Sequence, residues 1–166
     1  MSVIVRKPSL TDAAGAGMAH ALIERQQFAG RVPDDYWATH TEETAMQYWH
    51  DIFGTRVQGR RIALGVTQRR VVAMCGIHDS GSTDRSGALP ARSREIFYFA
   101  ALSEYADPDV LQRMFDFVLP TIAPCQCWVW REDQVMRRFL RMNGFTLDGL
   151  TTVDPASGLE YSRLVR

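Results

Sequence analysis

Apolar positions along the chain switch between a period of two and a period near three and a half, and the switches mark out the elements. The alternating segment SVIVRK gives way at Pro8-Ser9-Leu10-Thr11-Asp12 to N-cap chemistry ahead of AAGAGMAHALIERQQF, which predicts a strand and then a helix. Gly30 and Pro33 break the chain. From Asp34 to Phe53, helical spacing of Tyr36, Trp37, Met46, Trp49 and Ile52 predicts further helix in two short pieces, with Gly54 as a stop. RIALGVT and RVVAMCGIH are β-rich runs about a turn at residues 68–70, an antiparallel hairpin without Asn-Gly chemistry. SGSTDRSGALPARSR is too polar for either period and longer than a usual connection, either a lid or slack. EIFYFAAL, a continuous apolar run after Glu95, suits a central strand buried on both faces. An amphipathic helix ending at Pro120, the strand CQCWVW, the helix EDQVMRRFLRM stopped at Asn143-Gly144, and the pair FTLDGLTTV and LEYSRLVR complete the chain.

The predicted fold is α/β (α+β): a mixed, mostly antiparallel sheet of about seven strands with helices on both faces and one strand-helix-strand crossover near its middle. With 166 residues and no linker or repeat, a single domain is expected over 1–166. Lys and Arg balance Asp and Glu at 19 each, so no global field draws the chain to nucleic acid or an anionic membrane. The N-terminal segment lacks a long apolar core and no run approaches a membrane span, which leads to the expectation of a cytoplasmic protein. Cys75, Cys125 and Cys127 read as buried thiols, in keeping with a reducing compartment. His20, His40 and His50 lack a second ligand at metal spacing, so no metal site is expected.

The order of elements, VPDDYWATHTEETAMQYWHDIF after the first helix, and RRFLRMNGFTLDG near the end together resemble the GNAT superfamily of acetyl-CoA-dependent N-acetyltransferases. The likeness runs from Ile4 to Val165. Its most specific parts are Val-Pro-Asp-Asp-Tyr and the Phe139–Phe145 stretch, which is similar to the family's Phe-Tyr-x-x-x-Gly-Phe. The resemblance implies acetyl-CoA as cofactor and an amine of a small molecule or peptide as acceptor. It also implies that backbone near Ala101 and Leu102 pairs with the pantetheine arm, and that the next turn and helix start, with Ala106, Asp107, Asp109, Val110, Leu111 and Gln112, face the pyrophosphate. Asp133 and Arg138 would lie on the cofactor side of the following helix.

The family's turn carries Gln/Arg-x-x-Gly-x-Gly/Ala, and here it departs. Ala106 takes the Gln/Arg place, Asp109 the first Gly and Leu111 the last. Pro108 removes a backbone donor. At an effective dielectric of about 20, two charges about 4 Å apart repel by roughly 4 kcal/mol, less when exposed and screened. Asp107-Pro108-Asp109 reads instead as a helix start capped by its own acid. Leu140 replaces a frequent Tyr that can protonate the departing thiolate.

For the chemistry itself, Glu104 and Glu95 are candidate general bases, His78 a further base, and Tyr98 a donor or positioning group. Tyr36, Trp37 and Trp49 are candidates for the acceptor pocket. The reading that follows is an N-acetyltransferase with weakened cofactor binding. Its rivals are a catalytically silent GNAT-like ligand-binding or protein-interaction domain, and a homodimer built on an exposed strand edge.

Overall fold

A computed structural model describes residues 2–68, 70–120 and 122–166. Seven strands, β1 (Ile4–Arg6), β2 (Arg61–Thr67), β3 (Arg70–Asp79), β4 (Arg94–Ala101), β5 (Gln126–Trp130), β6 (Thr146–Val153) and β7 (Glu160–Val165), form one sheet in the order β1-β2-β3-β4-β5-β7-β6. Every adjacent pair is antiparallel except β4 with β5. Helices α1 (Ala13–Phe28), α2 (Tyr36–Thr39), α3 (Glu42–Gly54), α4 (Pro108–Val118) and α5 (Gln134–Met142) cover its two faces.

Local chemistry sets the helix ends. Asp12 accepts from the Ser9 amide at 2.7 Å while both of its oxygens take hydrogen bonds from Arg6, which ties β1 to the entry of α1. Thr41 and Thr44 cap α3 reciprocally. At the end of α5, Gly144 has φ +83, and the amides of Gly144 and Phe145 return to the carbonyls of Arg141 and Leu140, a Schellman closure that explains the stop read from Asn143-Gly144. The small residues of α1 permit close approach: a Cβ at Gly17 would meet the Met46 backbone of α3 at 2.5 Å. At the end of β2, Gln68 has φ +49, in the role that Asn or Gly usually takes.

Two expectations are revised by the strand geometry. β4 was expected to be buried on both faces, but Phe97, Tyr98 and Phe99 remain partly exposed. Pairing with β3 jumps from Ile77↔Ile96 to Gly76↔Tyr98, so Phe97 is a bulge, and its ring packs where a Gly76 side chain would stand. Pairing with β5 covers only Glu95↔Gln126 and Ile96↔Cys127 among the described residues. Past the bulge the two strands part. The 80–93 loop, read as lid or slack, is tied down: Asp84 pairs with Arg163 at 2.6 Å, and the amides of Ala91 and Arg92 donate to Gln126 Oε1.

Behind the parting strands, Phe99, Phe115, Phe139 and Phe145 pack at centroid separations of 5.5–6.4 Å, Phe99 stacked on Phe115 and the other pairs edge to face, and lock β4 to α4 and α5. Cys75, Cys125 and Cys127 are free and buried, and burial pushes all three thiols up.

Candidate active site

The gap between β4 and β5 opens into a cleft of about 270 Å³, walled by α1 and Tyr36 of α2 on one side and Trp128 to Trp130 on the other. Its polar groups come from α1. His20 and Glu24 lie one turn apart, with His20 Nε2 3.3 Å from Glu24 Oε1. Trp49, fully buried on α3, donates its indole N–H to His20 Nδ1 at 3.0 Å. An indole nitrogen only donates, so Nδ1 accepts and Nε2 carries the ring hydrogen toward Glu24. Tyr36 donates its phenol to the same Glu24 oxygen at 3.1 Å. Glu24 thus accepts a hydrogen bond from Tyr36 and has His20 Nε2 3.3 Å from the same oxygen, at the wall of the cleft.

Tyr98 lies beside this group, its ring 4.8 Å from that of His20 and 5.0 Å from Trp49. Burial, followed by the charge of Glu24, holds the Tyr98 phenol well above its ordinary value, and the same two causes raise Tyr36. Both therefore stay protonated as donors at neutral pH. Across the cleft, Trp128 buries its indole N–H without a partner among the described residues. Arg31 pairs with Glu132 and lies 5.1 Å over the Trp130 ring, joining the chain after α1 to the entry of α5.

A second cavity of about 310 Å³ adjoins the first through Gln27, Ala100, Trp130, Asp133 and Met136, and extends to Ala101, Ala106 and Leu111. Four of the expected cofactor positions, Ala101, Ala106, Leu111 and Asp133, therefore line one cavity. Small side chains at Ala100, Ala101 and Ala106 and the strand edge left by the parting of β4 from β5 suit an extended, amide-bearing arm. The helix start suits an anion less. Asp107 is the N-cap of α4 and takes the Asp109 amide at 2.8 Å, so one donor that could face a phosphate is already engaged. Asp133 caps α5 through the Met136 amide, and burial raises its carboxyl despite that bond.

The remaining nominated residues lie elsewhere. Glu104 sits on the exposed turn Ser103–Tyr105, where its own amide leads the causes that lower its carboxyl, a poor setting for a base. Glu95 accepts from Gln126 Nε2 at 2.7 Å, at the closed end of the β4–β5 pair. His78 stacks on Phe97 with Nδ1 2.7 Å from the Asp79 carbonyl. None of the three lines the cleft. Trp49 is core and touches the site through His20 and Tyr98 without lining it, and Trp37 packs edge-on against Tyr36. Leu102 and Val110 are buried, Gln112 binds Asn143 and Asp116, and Arg138 is exposed; none of these four lines the second cavity. Sequence reasoning missed His20 and Glu24 as a pair, although their i, i+4 spacing was a usable signal.

No protein-family model and no curated protein sequence matches the chain. Solved structures do. The PaiA N-acetyltransferase of Thermoplasma acidophilum, in complex with coenzyme A, is similar over 97% of this chain and 98% of its own at 13% identity and a TM-score of 0.65. An acetyltransferase of the GNAT family from Streptococcus pneumoniae is similar over 99% and 98% at 11% identity and 0.62. YncA from Salmonella typhimurium, with its cofactor acetyl-CoA, is similar over 100% and 94% at 10% identity and 0.64. The chain has the GNAT fold, and at these identities the likeness is one of fold.

Proposed function

We propose that this chain is an N-acetyltransferase that moves an acetyl group from acetyl-CoA to the amine of a small molecule or peptide, with Glu24 as the general base. One observation carries the reading: β4 parts from β5 at the Phe97 bulge, beside a carboxylate that is hydrogen-bonded by Tyr36 and flanked by His20. Acetyl-CoA, when bound, supplies an activated thioester carbonyl. Ala100, Ala101 and Ala106 would flank its arm, and the unpaired edge of β4 would offer backbone donors and acceptors to the arm's amides. Glu24 takes the proton that the attacking nitrogen sheds as the new C–N bond forms. His20, its tautomer fixed by Trp49, and Tyr36 keep that carboxylate aimed. Tyr98, a phenol in the same cleft that burial keeps protonated, would donate a hydrogen bond to the departing sulfur, which Leu140 cannot do, and the thiolate would take its proton from solvent.

Asp107 and Asp109 favour a second reading. A helix that has supplied its own N-terminal anion binds a pyrophosphate weakly, and in the extreme the chain is a silent ligand-binding or interaction domain of the same fold. A thermal-shift titration with acetyl-CoA, followed by thiol release across a panel of amines, tests the two. Saturable stabilisation specific to CoA compounds plus amine-dependent thiol release supports the enzyme. Ligand at a hundred times its Kd adds about 2.7 kcal/mol. No shift at millimolar acetyl-CoA overturns the enzyme reading.

A further inference from the structure

A cavity larger than the cleft lies away from it. A pocket of about 720 Å³ opens where the end of α3, the start of β2 and the end of α4 meet, within the size range of small-ligand sites. Ile52, Phe53, Ile62 and Phe117 give it an apolar floor, and Lys7, Arg56, Arg60 and Arg61 ring it. No carboxylate lines it, and none of the four cations forms an ion pair among the described residues.

Part of this positive charge has a local use. Arg60 Nη1 donates to the carbonyls of Ile52 and Thr55 at the end of α3, and Arg61 Nη2 donates to the Phe117 carbonyl at the end of α4. Each helix C-terminus is worth roughly half a negative charge. Two such ends leave about three of the four positive charges uncompensated. Of the nearby acids, Asp12 is held by Arg6, while Asp51, which shares a neighbouring pocket with Arg60, and Asp79, which packs against Gly59, are carboxylates that form no ion pair with the four cations among the described residues. The Arg60 Nε hydrogen is buried without a partner, while the side chains of Lys7 and Arg56 are exposed and make no hydrogen bond among the described residues.

We propose that this pocket is a binding site for a small organic anion with an apolar body, such as an aryl or acyl phosphate or carboxylate. The body would cover Phe53 and Phe117, and the anionic group would take hydrogen bonds from Arg56, Lys7 and the free donors of the two capping arginines. Guanidinium groups fixed by helix carbonyls are ordered before the ligand arrives, which lowers the entropy lost on binding. The site is independent of the acetyl-transfer reading, since it shares no lining residue with the cleft or the second cavity.

Calorimetric titration with 2-naphthyl phosphate, with inorganic phosphate and 2-naphthol as comparators, tests the site on the full chain. The expected result is saturable binding of naphthyl phosphate at least tenfold tighter than either comparator, weakened at least tenfold in Lys7→Glu/Arg56→Glu. Both positions are exposed, so the variant keeps the fold, checked by its melting temperature. Unchanged affinity in the variant places the probe elsewhere and overturns the proposal, as does the absence of saturable binding. Equal binding of inorganic phosphate reduces the feature to a bare surface charge and overturns it too.

Discussion

At one end of the β4–β5 cleft, Glu24 takes contacts from Tyr36 and His20 and is left beside open space. Beyond Ala106 and Leu111 of the adjoining cavity, Asp107 takes its hydrogen bond from the Asp109 amide and closes the helix start on itself. Both carboxylates are satisfied, but by different kinds of donor. Glu24's partners are side chains that fix its direction and leave it free to accept a proton. Asp107's partner is a backbone amide that an incoming anion would need. The same chemistry prepares a base in one place and occupies an anion site in the other. A helix start stabilised by its own carboxylate has fewer donors to offer an anion, while a reacting group is best held by neighbours that the substrate does not require.

The largest expected effect comes from removing the base. Glu24→Gln keeps the size and the hydrogen bond from Tyr36 yet cannot take a proton, so turnover should fall by about 10²–10⁴ with little change in melting temperature. A pH-rate profile measured alongside distinguishes this from a loss of positioning: the limb that reports the base should disappear. Activity within a few-fold of wild type would remove Glu24 from the chemistry and leave the two ends alike.

The next effect is on the support of the Glu24 end. His20 and Glu24 keep their place because α1 lies directly on α3, where a Cβ at Gly17 would strike the Met46 backbone. A helix backbone does not yield as a side-chain tip does. Gly17→Ala should therefore cost about 1–3 kcal/mol in urea unfolding, roughly 2–4 °C per kcal/mol for a chain of this length. It should also shift α1 away from Trp49 and lower activity beyond what stability explains. A neutral outcome would mean that α1 can slide and that the Trp49–His20 contact does not set the site.

At the cofactor end the prediction runs the other way. Asp107→Gly/Pro108→Arg/Asp109→Gly removes two carboxylates and frees the amide that Asp107 occupies. Acetyl-CoA affinity by calorimetry should rise about tenfold, equivalent to roughly 1.4 kcal/mol, while stability falls modestly with the lost cap. Unchanged affinity would show that the helix start is not what limits the cofactor, and attention would pass to Leu111 in the cavity wall.

Much of the frame was legible in the sequence because its signals are local. The 13–28 helix, the Asp107 cap with Pro108 behind it, and the Asn143-Gly144 stop each depend on a few neighbouring residues, and the structure places them as read. The candidate site was less legible because its members meet only in the folded sheet. Tyr98 and Tyr36 were nominated and do border the cleft, but Glu24 gains its meaning from Trp49, His20 and Tyr36, which come from three helices. Glu95 and His78 sit at the closed end of the strand because the ladder with β5 parts only beyond Ile96, which side-chain alternation does not reveal. The Phe97 bulge has the same character. It depends on the empty face of Gly76 on the neighbouring strand, so nothing within EIFYFAAL announces it.

The smallest effect concerns Asp133, the third carboxylate at the cofactor end. Burial raises its carboxyl above the ordinary value, partly offset by the amides of Met136 and Val135. A folded-state value above the unfolded one means that the folded protein holds the proton more tightly. Ionisation therefore costs stability as pH rises past the unfolded value of about 3.9, and the cost is absent below it. Asn caps a helix as well as Asp does, so Asp133→Asn should keep α5 while removing that cost. The variant should match wild type at the most acid pH where both fold and become slightly more stable at neutral pH, by no more than about 0.5 kcal/mol. Greater stability of wild type at neutral pH would mean that the charge of Asp133 serves the dipole of α5 more than its burial costs, and the two ends of the cleft would then differ only at Asp107 and Asp109.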